Sequence, residues 1–122
     1  MDNSKNMPES EMKLMELIWE NQPIRSGELV TRSLEAYGWK KSTVYTILKK
    51  LVTRGAARNE DSVITAVYPR ETVMSERSED VIERSYGGSL PMFLTAFLSR
   101  EKISRSEAEE LKRLIDSYTK EG

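Results

Sequence analysis

The amino-acid sequence predicts a mainly α-helical fold with a small β-hairpin, in two parts: an N-terminal domain at residues 1–70 and a helical region at 71–122. Three observations predict it. Apolar residues recur at helical spacing in three successive segments ahead of Gly55. The β-branched run Val63-Ile64-Thr65-Ala66-Val67-Tyr68 follows a polar Asp61-Ser62 turn and is closed by Pro69. Beyond it the helical spacing returns, broken at Gly87-Gly88 and again before Ser104.

Residues 1–9 are polar and expected to fray. The first helix is expected at 10–20, where Met12, Leu14, Met15, Ile18 and Trp19 make a broad apolar stripe. Asn21-Gln22-Pro23 ends it, because proline disfavours helical dihedrals in the preceding residue. Ile24 and Arg25 form a short extended bridge. Ser26 is a candidate N-cap, with Glu28 where a carboxylate meets the positive end of a helix. Leu29, Val30, Leu34 and Tyr37 line that second helix, and Gly38 stops it. A third helix opens near Lys41 or Ser42. Its Val44, Ile47, Leu48, Leu51 and Val52 fall at i, i+3, i+4, i+7 and i+8, the template for one buried face. Gly55 ends it, and segments 57–60 and 63–68 make the hairpin. Three helices followed by a hairpin is the order of a winged helix-turn-helix domain.

The second part is expected to hold three more helices. The first, at about 72–86, has Val73, Met74, Val81 and Ile82 as its apolar positions. The next, at about 90–99, is unusually apolar. The last starts at Ser104, where Ser104 and Glu107 match a capping box and Ile103 is a staple residue.

Composition excludes several function classes. The chain has no Cys and no His, which removes disulfides, thiol redox chemistry and thiolate or imidazole metal sites. Without those residues no nucleophile–base pair stands out, and there is no glycine-rich phosphate loop. No enzyme activity, cofactor or metal is expected. No apolar run approaches the roughly 18 residues of a membrane span, and Met1-Asp2-Asn3-Ser4-Lys5-Asn6 has no signal-peptide hydrophobic stretch. A soluble, cytoplasmic protein without membrane contact is expected.

Charge points to a partner. Between Ala36 and Asn59 stand Lys40, Lys41, Lys49, Lys50, Arg54 and Arg58, with no Asp or Glu. The whole chain carries 19 Lys and Arg against 20 Asp and Glu, so even mixing would put comparable numbers of acids in that window. With the aliphatic side of the third helix in the core, its opposite side carries Ser42, Thr43, Tyr45, Thr46, Lys49, Lys50 and Thr53. Hydroxyls suit phosphates and base edges, a tyrosine suits a thymine methyl, and cations suit the backbone of double-stranded DNA. Thr43, Tyr45 and Thr46 are the candidates for reading bases. Lys40, Lys41, Lys49, Lys50 and Arg54 are placed for phosphates, joined by Arg58 on the hairpin. Ser42 fits a DNA contact and a cap of its own helix equally well. A solvated charged face is the bland reading of such a helix; the acid-free window inside three helices and a hairpin favours DNA. Trp39, between the second and third helices, fits the core better than base stacking, and Trp19 belongs to the core.

The apolar segment with Leu90, Phe93, Leu94, Phe97 and Leu98 is too rich to be covered by its own short helix. Together with Leu111, Leu114, Ile115 and Tyr118 it suggests a symmetric homodimer. The alternative is packing within the chain against the last helix.

The sequence resembles the BlaI/MecI/CopY family of bacterial penicillinase-type repressors over residues 10–118. The resemblance is carried by Glu11-Met12-Lys13-Leu14-Met15-Glu16-Leu17-Ile18-Trp19 and by Trp39-Lys40-Lys41-Ser42-Thr43-Val44-Tyr45-Thr46-Ile47-Leu48-Lys49-Lys50-Leu51. Arg54-Gly55, Val67-Tyr68-Pro69 and Tyr86-Gly87-Gly88-Ser89-Leu90 extend it. It implies a winged-helix dimer on a dyad-symmetric operator that blocks transcription. In the β-lactam branch, repression ends when a membrane sensor leads to proteolysis of the repressor, which implies a sensor-linked protease as a partner. The bond cut in that branch is Asn-Phe, and Ala96-Phe97 stands at the corresponding place here. The copper branch has cysteine pairs near its C-terminus that this chain lacks. The hairpin tip, Asn59-Glu60-Asp61-Ser62, is acidic where family members often carry Lys or Arg. Two readings compete with a repressor: a helical protein–protein adaptor whose basic face meets an acidic partner, and a winged-helix activator.

Overall fold

The computed structural model describes residues 6–119. Its elements run α1 (Glu9–Asn21), β1 (Ile24–Arg25), α2 (Ser26–Tyr37), α3 (Lys41–Arg54), β2 (Ala57–Glu60), β3 (Val63–Ala66), α4 (Arg70–Tyr86), α5 (Leu90–Arg100) and α6 (Arg105–Tyr118). This is a mainly α winged helix-turn-helix followed by a helical region. The chain packs as two compact units, Met1–Asp80 and Val81–Gly122. The domain edge expected at 70/71 coincides with the start of α4. The compact unit extends ten residues further because Val73, on the first turn of α4, is fully buried in its core.

In the N-terminal unit the core is assembled from one side of each helix and the inner side of the sheet. Leu14, Met15 and Ile18 of α1, Leu29 of α2, and Val44 and Leu51 of α3 are essentially inaccessible, as is Ile64 of β3. Each such side chain contributes roughly 1.5–3 kcal/mol of burial. The sheet runs β1-β3-β2, with Ile24 opposite Ile64 and Arg25 opposite Val63 on one side, and Glu60 opposite Val63 on the other. The two-residue bridge expected at Ile24-Arg25 is therefore a true third strand. Trp19 is half-buried, and its Nε1 donates to the Tyr68 carbonyl at 2.9 Å. Trp39 packs half-buried on the same core, its ring 4.7 Å from that of Tyr37.

Gly38 (φ 70°) and Gly55 (φ 86°) end α2 and α3 in left-handed backbone, as the sequence predicts for both stops. Several expectations are corrected. Residues 1–5 of the segment expected to fray lie outside the described residues. Met7 within it is buried, and its carbonyl accepts from Arg77 Nη1 at 3.2 Å. Ser26 is not an N-cap: Arg25 holds that position, and Ser26 is the first helical residue. Leu34 and Val52, expected in the core, are 57% and 39% exposed, because each sits at the edge of its apolar stripe.

Candidate nucleic-acid interface

α3 stands on its aliphatic side. Val44, Ile47, Leu48 and Leu51 are buried, while Lys41, Ser42, Thr43, Tyr45, Thr46, Lys49, Lys50 and Thr53 are exposed, with Lys40 exposed just ahead of the helix. At 3.6 residues per turn, Ser42, Thr46, Lys49 and Thr53 form one stripe directly opposite the core. Thr43 and Lys50 flank it on one side. Tyr45 and Val52 flank it on the other, where they line a groove of about 500 Å³ with Leu48, Lys49, Thr53 and Asn59. No acid occurs anywhere on the helix.

Ser42 does not cap α3; Lys40 holds the cap position without a side-chain bond, and Ser42 is the second helical residue. Its carbonyl accepts the Thr46 Oγ1 proton at 2.9 Å. That local bond uses the threonine's proton and leaves its acceptor lone pairs and methyl for a ligand. Tyr45 is a different case. Its hydroxyl donates to Ser26 Oγ on α2 at 3.1 Å, so what it presents outward is the ring. Lys41 Nζ lies 5.9 Å from that ring's centroid.

Arg54 has a partner within the chain. Its Nε donates to Glu11 Oε1 on α1 at 2.7 Å, with the carboxylate side chain only 4% exposed. That bond fastens α3 onto α1. Arg58 is exposed on β2 opposite Thr65. Strand register puts Arg25 on the same outward side of the sheet as Arg58, flanking Val63 across from Glu60. The sequence reading missed Arg25 as a cation of this surface; alternation from buried Ile24 would have turned it outward, but only pairing with β3 brings it beside the hairpin.

The hairpin turn uses Asp61 (φ 53°) and Ser62 (φ 67°), both left-handed, and Asn59 Oδ1 accepts from the Ser62 N–H at 3.1 Å. Two left-handed residues are what a two-residue hairpin requires. Glu60 and Asp61 are exposed there, so the tip is the acidic end of an otherwise basic surface. On α2, burial first and then Glu16 and Glu20 push the Tyr37 phenol above its ordinary value. Its hydroxyl donates to the Lys13 carbonyl at 3.1 Å. Arg70 is also held above its usual range, chiefly by its hydrogen bonds to Glu16.

The family model for the penicillinase repressor matches residues 7–117. The chain belongs to the penicillinase repressor family. The penicillinase repressor of Bacillus licheniformis is 23% identical over 122 residues, covering 97% of this chain and 95% of its own. The methicillin resistance regulatory protein MecI of Staphylococcus aureus (strain N315) is 22% identical over 121 residues, covering 95% of this chain and 98% of its own. The solution structure of the DNA binding domain of the repressor BlaI aligns with a TM-score of 0.49 at 23% identity, over 57% of this chain and 90% of that one. The family is one of transcriptional repressors, not enzymes.

In this repressor-family chain the C-terminal helices bury nothing fully. Leu90, Phe97, Leu111, Leu114, Ile115 and Tyr118 are exposed, and Phe93, Leu94 and Leu98 half-buried. Phe93 lies 6.2 Å from Phe97 and 5.5 Å from Tyr86. Ser89 caps α5 by accepting from Met92 N–H, and Ser104 caps α6 by accepting from Glu107 N–H at 3.0 Å. The Ala96-Phe97 bond lies inside α5, with the Ala96 carbonyl accepting from Ser99 Oγ and the Phe97 carbonyl from Glu101 N–H. A protease would have to unwind that helix to reach it. Among the described residues no helix is long and apolar enough to cross a membrane, and no cluster of carboxylates is arranged to hold a metal ion.

Proposed function

We propose that this chain is a homodimeric, sequence-specific DNA-binding repressor that occupies a dyad-symmetric operator with two copies of α3. The observation that carries the reading is the stripe of Ser42, Thr46, Lys49 and Thr53, exposed on an acid-free helix whose other side is buried. A helix so mounted presents hydroxyls to base edges at its N-terminal turns, and Lys40, Lys41, Lys49, Lys50 and Arg58 to phosphates. Residues 1–70 take the DNA and residues 71–122 hold the dimer. For the dimer the support is the exposed apolar surface of α5 and α6, larger than a monomer tolerates comfortably. Two half-sites bound by one dimer multiply their contributions, so release of the dimer is an effective switch.

The names of the relatives, a penicillinase repressor and a methicillin resistance regulatory protein, extend the reading to genes of β-lactam resistance, and a repressor bound to such genes works in the cytoplasm. Ala96-Phe97 in place of Asn-Phe argues that a sensor-linked protease, if it acts here, does not use the family's bond. The test is selection of duplexes from a random pool by the full chain, followed by gel shift and a promoter–reporter assay. A dyad-symmetric duplex with half-site centres about one helical turn apart, and a silenced reporter, is the expected result. No sequence-preferring band would leave the adaptor, and a stimulated reporter the activator.

A further inference from the structure

Three parts of the N-terminal unit meet at one buried serine. Ser26 is 8% exposed and opens α2. Its backbone N–H donates to the Ser62 carbonyl in the hairpin turn at 2.8 Å, and its Oγ accepts from the Tyr45 hydroxyl of α3 at 3.1 Å. Because Arg25 holds the N-cap position, the Ser26 hydroxyl is not spent on capping its own helix and is left for Tyr45. The preceding residue, Arg25, is paired with Val63 in the sheet, which fixes Ser26 against the hairpin a second time.

We propose that Ser26 and Tyr45 are positioning residues for operator specificity: their hydrogen bond sets α3 against the hairpin turn so that Thr43 and Thr46 meet base edges in register. The inference rests on the DNA-binding reading above. Base-edge hydrogen bonds carry sequence information and fail with small displacements, whereas lysines on flexible stems follow a phosphate that has moved. Loosening α3 therefore costs discrimination between sequences more than it costs general affinity. Tyr45 acts from the flank of α3, through Ser26, and its hydroxyl touches no base.

The experiment uses the full chain, the duplex selected above and random duplex of equal length, with Tyr45→Phe, Ser26→Ala, the double variant and Ser26→Thr. Each single loss should lower the operator-to-random affinity ratio by about 2- to 10-fold, the net worth of one hydrogen bond. The double variant should lose no more than the worse single one, because both remove the same bond. Ser26→Thr, which keeps the hydroxyl, should restore the ratio. The salt slope of binding by Tyr45→Phe should stay at the wild-type value, and its melting temperature should fall by only a few degrees, the stability worth of one hydrogen bond. An unchanged ratio in Tyr45→Phe overturns the proposal, and so does an additive double loss, which would mean that Tyr45 touches DNA itself. If Ser26→Ala fails to fold, Tyr45→Phe decides alone. A wild-type chain with no sequence preference would sink the DNA-binding reading first, before any variant is compared.

Discussion

Arg54 Nε and Glu11 Oε1 lie 2.7 Å apart and join the last turn of α3 to the first turn of α1, with the two side chains 23% and 4% exposed. Removing either partner has different consequences. Arg54→Ala strands a carboxylate that water can hardly reach, and should cost about 3 kcal/mol of stability. Glu11→Ala leaves a guanidinium with a route to solvent, and should cost about 1 kcal/mol. Urea denaturation of both variants measures the difference. Equal losses would mean that the carboxylate is not the stranded group.

Lys49 and Lys50 are exposed, one on the central stripe of α3 and one on its flank. Replacing both with Ala should weaken binding to every duplex and flatten the dependence of log affinity on log salt by roughly one unit per lost phosphate contact. Binding titrations across a salt series read this directly. A slope equal to wild type would remove these two lysines from the phosphate contacts.

Thr46 is a test of base reading. Its hydroxyl bonds only its own helix, and alanine is the better helix former, so Thr46→Ala should fold normally. On the operator the substitution should cost about 1–3 kcal/mol, and far less on random duplex. Equal losses on both would place Thr46 against the backbone instead.

What the sequence made legible was whatever repeats locally. Helix spans, their glycine stops, the Ser104 cap and the hairpin all follow from periods and turn chemistry within a dozen residues, and so does the exposed stripe of α3. Pairings between distant residues left no such trace. Glu11 and Arg54 are 43 positions apart, and each looks like an ordinary surface charge until α1 and α3 are packed together. The same holds for Tyr45: the sequence offers its ring to a thymine methyl and gives no sign that its hydroxyl bonds Ser26. Leu34 and Val52 are misplaced for a related reason: an apolar stripe of four or five residues is wider than the contact a neighbouring helix makes, so its edge stays wet.

Ser62 occupies the second left-handed position of the hairpin turn, where a side chain is strained. Ser62→Gly relieves that strain and keeps the N–H that Asn59 accepts and the carbonyl that Ser26 bonds. Part of the gain is offset by the greater freedom of glycine in the unfolded chain. A net stabilisation of about 0.5 kcal/mol is expected in thermal unfolding. A loss of similar size would show that the serine side chain supports the turn.

Leu114 and Ile115 on α6 are 52% and 56% exposed in the single chain, so an acidic substitution there disturbs little within it. In a dimer built on this surface the same substitution would bury a carboxylate against a partner's aliphatic side chains, which is strongly unfavourable. Leu114→Glu with Ile115→Glu should therefore convert a species of twice the 14.0 kDa chain mass into one of chain mass in sedimentation equilibrium. Helical circular dichroism should be unchanged. Binding to an isolated half-site should persist while the two-site operator loses its advantage, because the second contact is no longer delivered at high local concentration. A doubly substituted chain that still sediments as a dimer would place the subunit contact elsewhere and leave the apolar surface of α6 without an occupant.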